Sequence, residues 1–110
     1  MVAWPAFIKY ADDDELTFVP DNETWIEDLS FLEFEDDDFL VDASGQLYDL
    51  SKREQGHILP CSKNKAYSLD SILGLIKAHA SCAGSCCVAK MYAPSVTEAF
   101  KILESLSGND

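Results

Sequence analysis

The chain has 110 residues, of which 47% are apolar, and this is enough to form one hydrophobic core without disulfides or a structural metal. Its formal net charge of −12 is unevenly distributed, because residues 1–50 carry 15 acidic side chains against one basic one, whereas residues 51–110 carry 5 against 7. The negative electrostatic field of this charge argues against binding to nucleic acid or an anionic membrane, because both require lysine and arginine to neutralise phosphates.

The first elements predicted along the chain are a β-hairpin and a short helix. Residues 6–11 and 16–19 are rich in aromatic and β-branched side chains, and an acidic run separates them, which is typical of two strands and their turn. Residues 21–32 then predict a helix, because an Asp or Asn can cap its start and because Trp25 and Leu29 share one face.

A second hairpin follows, and after it comes a polar segment. Residues 38–42 and 46–50 have strand character, and Gly45 between them can adopt the left-handed backbone that a tight turn needs. Residues 51–67 are polar and irregular. Within them, residues 57–59 can add a short strand, and the sequence leaves open whether residues 57–67 form a strand or a binding loop.

The last part of the chain predicts a helix, a strand and a terminal helix. Ser68 can cap a helix that Gly84 ends, and residues 86–92 form a largely buried strand. Ser95 and Glu98 form a capping box for the final helix. The apolar stripe of the first helix contains Leu69, Ile72, Leu73, Ile76 and Ala80, and that of the second contains Val96, Ala99, Phe100, Leu103 and Leu106.

These elements predict an α+β protein with the order β-β-α-β-β-α-β-α. We expect residues 1–110 to form a single domain with a mixed sheet of about five strands. Two hairpins and a further strand build this sheet, and three helices pack mainly on one of its faces.

Three segments resemble a known protein family. WPAFIK at residues 4–9, DDDEL at 12–16 and DASGQLY at 42–48 are similar to segments of a family of small single-domain gammaproteobacterial proteins of unassigned function. The resemblance implies one domain and a bacterial cytoplasm. It brings no activity, cofactor or site residue, because its motifs are those of turns and strands.

One cluster, HASCAGSCC at residues 79–87, has the composition of a metal or redox site. His79 and Cys82 fall on one side of the predicted helix, and Cys86 could join them as a third zinc ligand. Cys86 and Cys87 point to opposite faces if they lie on a strand, and the C-x2-C spacing of structural zinc sites is absent. We therefore favour an interpretation in which these residues are structural, with no cofactor.

The acidic runs are the other candidate site. We expect them on exposed loops, where their field attracts a protein partner with a basic surface. Neither run has the spacing of a calcium-binding EF-hand loop. The candidate surface consists of Asp12, Asp13, Asp14, Glu15, Glu35, Asp36, Asp37 and Asp38. The alternatives are a solvated face that serves solubility and self-association through Lys52, Arg53, Lys63 and Lys65.

No catalytic motif supports an enzyme. The chain lacks G-x-G-x-x-G, the P-loop, H-E-x-x-H and G-x-S-x-G. Without a signal peptide or an apolar run of membrane-spanning length, we expect a cytoplasmic protein. The sequence therefore favours a small non-enzymatic binding or regulatory module. A structural or self-associating protein is the second hypothesis, and a metal-binding protein or enzyme that uses residues 79–87 is the third.

Overall fold

The computed structural model describes residues 2–82 and 92–108, and within them seven strands form two antiparallel sheets. The strands are β1 Ala6–Lys9, β2 Leu16–Val19, β3 Phe39–Asp42, β4 Gln46–Asp49, β5 Arg53–Glu54, β6 His57–Ile58 and β7 Cys61–Ala66. The main sheet has the order β2-β1-β3-β4-β7, and β5 pairs with β6 in a separate ribbon. The predicted α+β class and both predicted hairpins are confirmed.

The first helix is composite and short. Its α-helical part α1 is Asn22–Thr24, and it continues as a π-helical turn over Trp25–Leu29. Asp21 caps it as predicted, because its Oδ1 accepts a hydrogen bond of 2.8 Å from the backbone N–H of Thr24. We refer to α1 and the π-helical turn together as the composite helix.

Two long helices follow the sheet. They are α2 Leu69–Cys82 and α3 Val96–Gly108. The predicted cap at Ser68 is present, because its hydroxyl accepts from the N–H of Ser71 at 3.2 Å. Of the predicted capping box, the Ser95 hydroxyl accepts from the N–H of Glu98 at 3.2 Å, whereas the Glu98 carboxylate pairs with Lys101. Together with the composite helix they account for the three predicted helices.

The main sheet has a hydrophobic core on each face. Side chains alternate along each strand, so that Phe7 and Val41 face one side and Ile8 and Leu40 face the other. The first side packs on α2 and α3 through Ile72, Ile76, Ala99, Phe100 and Leu103. The second side is covered by Trp25 and Ile58, which come from the composite helix and the β5–β6 ribbon.

The sheet differs from the prediction in its pairing and in its last strand. Each described strand pair is antiparallel, whereas we predicted a mixed sheet, and the fifth strand is β7. Most side chains of β7 are exposed, so its sequence CSKNKA has no apolar alternation that could predict a strand. The predicted strand at 86–92 and the predicted stop at Gly84 fall largely or wholly outside the described residues.

Candidate protein-binding surface

The two acidic runs meet at one end of the main sheet, and Asp38 joins them. Lys9 at the end of β1 pairs with Phe39 at the start of β3, so the loops at 10–15 and 31–38 lie side by side. The carboxylate of Asp38 accepts from the backbone N–H of Ala11 at 2.8 Å and from that of Glu35 at 2.7 Å. One carboxylate thereby fixes the relative positions of the two loops.

Asp38 therefore differs from the other carboxylates of the candidate surface. It is 3% exposed, so it holds the loops in place and cannot contact a partner directly. This corrects the sequence-based expectation that its carboxylate faces solvent. The seven remaining side chains are all exposed, and we call them the acidic end: Asp12, Asp13, Asp14, Glu15, Glu35, Asp36 and Asp37.

Among the described residues, no carboxylate of the acidic end forms an ion pair. The ammonium of Lys9 donates to the backbone carbonyls of Tyr10 at 2.7 Å and Asp13 at 2.6 Å, so it stabilises the first acidic turn through its backbone. In the part of the chain that the structure describes, the only ion pair joins Lys101 to Glu98 on α3. The seven carboxylates of the acidic end therefore outnumber the one ammonium of Lys9 and present a negative field to solvent.

A row of stacked aromatic rings supports the second acidic loop. Phe34 lies in this loop. Its ring centroid is 6.4 Å from that of Tyr10 and 6.1 Å from that of Trp25, and the rings of both pairs are close to parallel. Offset stacking at these distances is favourable. The loop is therefore anchored to the end of β1 on one side and to the composite helix on the other.

An open cleft lies between the composite helix and the β5–β6 ribbon. Its volume is about 290 Å³, and we call it the apolar cleft. Two contacts fix its walls, because the indole Nε1 of Trp25 donates to the carbonyl of Ile58 at 3.3 Å and the N–H of Ile58 donates to the carbonyl of Ser30 at 2.6 Å. Its lining includes Trp25, Ile26, Ser30, His57, Ile58 and Leu59.

Ser30 and His57 form a polar pair in the wall of the apolar cleft. The Ser30 hydroxyl is 2.9 Å from the carbonyl of Ile26 and 2.7 Å from Nδ1 of His57. A carbonyl can only accept, so the hydroxyl donates its one hydrogen to Ile26 and accepts from the Nδ1–H of His57. Neutral His57 then carries its acceptor lone pair on Nε2.

A second, polar cleft of about 230 Å³ lies where the second acidic loop meets the β5–β6 ribbon. Ile58 lines both clefts, and Asp36 of the acidic end lines the polar one. The guanidinium of Arg53 crosses this region and donates to the carbonyl of Leu32 at 2.7 Å. The polar cleft, with Asp36 of the acidic end, and the apolar cleft are therefore neighbours that share Ile58 as a wall.

The sequence does not predict the apolar cleft, although its polar residues 51–67 allow a binding loop. Ser30 and His57 are 27 positions apart in the chain, and no local spacing relates them. One signal was present, since Ile26 falls outside the helical face that Trp25 and Leu29 share. A single exposed isoleucine is common on protein surfaces, so this signal alone does not indicate a binding site.

His79, which is a metal ligand only in the third hypothesis, makes a structural contact. The side chain is buried on α2, and its Nδ1 accepts a hydrogen bond of 2.9 Å from the backbone N–H of Leu16 on β2. Cys82 ends α2 and Cys86 lies outside the described residues, so the three-ligand hypothesis stays untested. Across 2–82 and 92–108, no three His, Cys, Asp or Glu side chains form a group that could hold a metal ion.

Comparison with known proteins agrees with the resemblance seen in the sequence. A model of the DUF4144 family, described as a protein structure with unknown function, matches residues 4–103. An NMR structure of a protein from Shewanella amazonensis is similar with a TM-score of 0.70 and 29% identity, covering 98% of this chain and 92% of that one. No curated protein matches significantly. No helix among the described residues is long and apolar enough to cross a membrane.

Proposed function

The chain belongs to the DUF4144 family, whose function is unknown, and we propose that it is a non-enzymatic binding module that contacts a basic surface of a protein partner. The observation that carries this proposal is the junction at Asp38, which combines two acidic loops into one exposed surface without ion pairs among the described side chains. A solvated face kept only for solubility does not require a buried carboxylate that fixes its loops.

The acidic end would act mainly on the rate of encounter. Exposed charges of one sign attract an oppositely charged surface over about a Debye length, and they contribute less to the final affinity. Binding should therefore weaken steeply as the salt concentration rises. Since the sheet, the Asp38 contacts and the aromatic row hold the loops, little ordering of the loops is needed on binding.

The test compares two neutralised variants with a matched control, using immobilised polylysine as the basic probe. The triple changes Asp12→Asn, Asp13→Asn, Asp14→Asn and Glu35→Gln, Asp36→Asn, Asp37→Asn remove carboxylates of the acidic end and leave Asp38 in place. The control Asp70→Asn, Glu98→Gln, Glu104→Gln removes the same charge from exposed positions on α2 and α3. We expect each acidic-end triple to slow association by about tenfold at low salt.

The control decides whether position or net charge matters. If it slows association as much as the acidic-end triples do, the acidic end has no special role and the proposal fails. Light scattering of the protein alone addresses self-association through Lys52, Arg53, Lys63 and Lys65. A mass that rises with concentration, and that falls again in salt, would favour a self-associating protein.

We further propose that residues 1–110 act as one domain in the bacterial cytoplasm and that the partner is neither nucleic acid nor a membrane. Support comes from the charge of −12 and from the position of the acidic end on an exposed surface. A mobility-shift assay with DNA and RNA at physiological salt should show no complex. Sub-micromolar binding to either polymer would contradict this part of the proposal.

A further inference from the structure

We propose that the apolar cleft receives one large apolar side chain from a basic segment of the partner protein. The inference rests on the proposed function, because the same partner contacts the acidic end. Steering by the acidic end and anchoring in the apolar cleft would be separate steps, since charge governs encounter and buried apolar contact governs dissociation.

The walls of the apolar cleft carry apolar side chains that the fold leaves exposed. Ile26 is 47% exposed and Leu59 is 37% exposed, and both lie beside Trp25, which is 2% exposed. An enclosed apolar cavity of about 150 Å³ holds a benzene molecule. The apolar cleft, at about 290 Å³, is therefore large enough for a leucine or phenylalanine side chain.

The surroundings of the apolar cleft select a cationic segment. The composite helix carries three exposed acidic side chains and no basic one: Glu23, Glu27 and Asp28. The polar cleft, which shares Ile58 as a wall, adds Glu33 and Asp36 against the one guanidinium of Arg53. A segment with lysine or arginine on both sides of an apolar residue would match this charge, whereas an acidic or uncharged segment would not.

The ribbon supplies polar groups that suit the same partner. Glu54 pairs with His57 in the register of β5 and β6, and both line the apolar cleft. Because Nδ1 of His57 is bound to Ser30, neutral His57 offers Nε2 as an acceptor. A carboxylate and an imidazole acceptor can both receive N–H groups of lysine or arginine that flank the apolar residue.

Three synthetic peptides test the inference with the intact protein. The first has lysines and arginines on both sides of one central phenylalanine, the second has alanine in place of the phenylalanine, and the third has glutamates in place of the basic residues. We expect the first to bind about ten- to hundredfold more tightly than the second, as the burial of one large apolar side chain predicts. It should also shift the NMR signals of the Ile26 and Leu59 methyl groups and of the Trp25 indole.

Variants of the protein locate the contact. Ile26→Ser and Leu59→Ser should each weaken the first peptide by about fivefold and leave the second unchanged, because only the first has an anchor. Tyr92→Ser is the matched control, since Tyr92 is 76% exposed and lies outside the apolar cleft. Unchanged thermal unfolding of each variant would show that the fold is kept.

The outcomes separate the two proposals. Equal binding of the phenylalanine and alanine peptides, with the cleft signals unmoved, would overturn the anchor and leave the acidic surface standing. Equal binding of the basic and glutamate peptides would overturn the acidic surface. Concentration-dependent shifts of the Ile26 and Leu59 signals without any peptide would identify a second copy of the chain as the occupant and would also overturn the inference.

Discussion

The carboxylate of Asp42 accepts a hydrogen bond of 2.9 Å from the phenol of Tyr48, and both side chains are buried in the sheet. Asp42 also accepts from the backbone N–H groups of Ala3, Ser44 and Gln46 and from the Ser44 hydroxyl. One carboxylate therefore binds the N-terminal segment, the turn between β3 and β4, and β4 itself. It has no part in the acidic end, although it adds to the same net charge.

These contacts shift the pKa values of both groups. Burial on its own raises the pKa of the Asp42 carboxyl, but the hydrogen bonds from Ser44, Ala3 and Tyr48 outweigh burial and hold that pKa below its ordinary 3.8. Burial, and then the hydrogen bond to charged Asp42, raises the pKa of Tyr48 to about 12. The pair is thus an ionised carboxylate and a neutral phenol at pH 7.

We expect Asp42→Asn to lower the free energy of unfolding at pH 7 by about 3 kcal/mol, since buried donors lose their acceptor. The folded pKa of Asp42 lies below the unfolded value, so its stabilisation is present above pH 3.8 and is lost as the pH falls through the folded pKa. Urea unfolding between pH 7 and pH 2 should show a smaller acid loss in the variant. Asp37→Asn, at an exposed position, is the control, and an equal acid loss in wild type and Asp42→Asn would contradict the prediction.

The two histidines should hold opposite tautomers when neutral. Nδ1 of His79 accepts from the Leu16 N–H, so its proton is on Nε2, whereas Nδ1 of His57 donates to Ser30 and carries the proton itself. Long-range ¹H–¹⁵N NMR spectra of the neutral rings distinguish the two forms. His57→Ala identifies the signals. If both rings showed the Nε2–H form, the hydrogen-bond assignment at Ser30 would be wrong.

Local rules predicted most of the fold. The hairpin turn at Gly45, the cap at Asp21 and the stripes of α2 and α3 depend on neighbours a few positions away in the chain, so their signals are present in the sequence. β7 is the exception, because an exposed edge strand is held by backbone pairing with β4, and its side chains carry no pattern.

The candidate site was only partly predictable for a related reason. Composition shows that the first half of the chain is acidic, but it does not show that Asp38 is buried while its neighbours Asp36 and Asp37 are exposed. That distinction comes from the register of β1 with β3, which places the N–H of Ala11 beside the carboxylate. The apolar cleft likewise forms from segments that meet only in the folded chain.

Alanine substitutions at Gly45 and Gly56 distinguish the stability cost of backbone strain from that of steric contact. Both glycines have a left-handed backbone conformation, with φ of 88° and 85°. Strain from alanine at either position therefore lowers the free energy of unfolding by about 1 kcal/mol. A Cβ on Gly45 would also lie 2.8 Å from the carbonyl oxygen of Tyr67, whereas one on Gly56 would meet no atom within 4 Å. We expect Gly45→Ala to cost about 3 kcal/mol and Gly56→Ala about 1 kcal/mol in urea unfolding. Equal losses would show that the Tyr67 backbone moves away freely.

Asp38→Asn is the sharpest test of how the acidic end is built. Asparagine keeps the shape of the side chain but replaces one acceptor oxygen with an amide nitrogen, so the N–H of either Ala11 or Glu35 loses its partner. We expect a loss of about 2 kcal/mol in unfolding free energy, against less than about 0.5 kcal/mol for Asp37→Asn, which changes the charge equally.

Hydrogen exchange at Ala11 and Glu35 reports the same junction locally. Both amides donate to Asp38, so their protection should fall in Asp38→Asn while that of Tyr67, which donates to the Gly45 carbonyl at 2.8 Å, stays unchanged. Association with polylysine should also slow more in Asp38→Asn than in Asp37→Asn, because the two loops no longer hold their carboxylates together. If protection at both amides persisted in Asp38→Asn, the loops would be fixed by other contacts, and the junction could not carry the proposed binding surface.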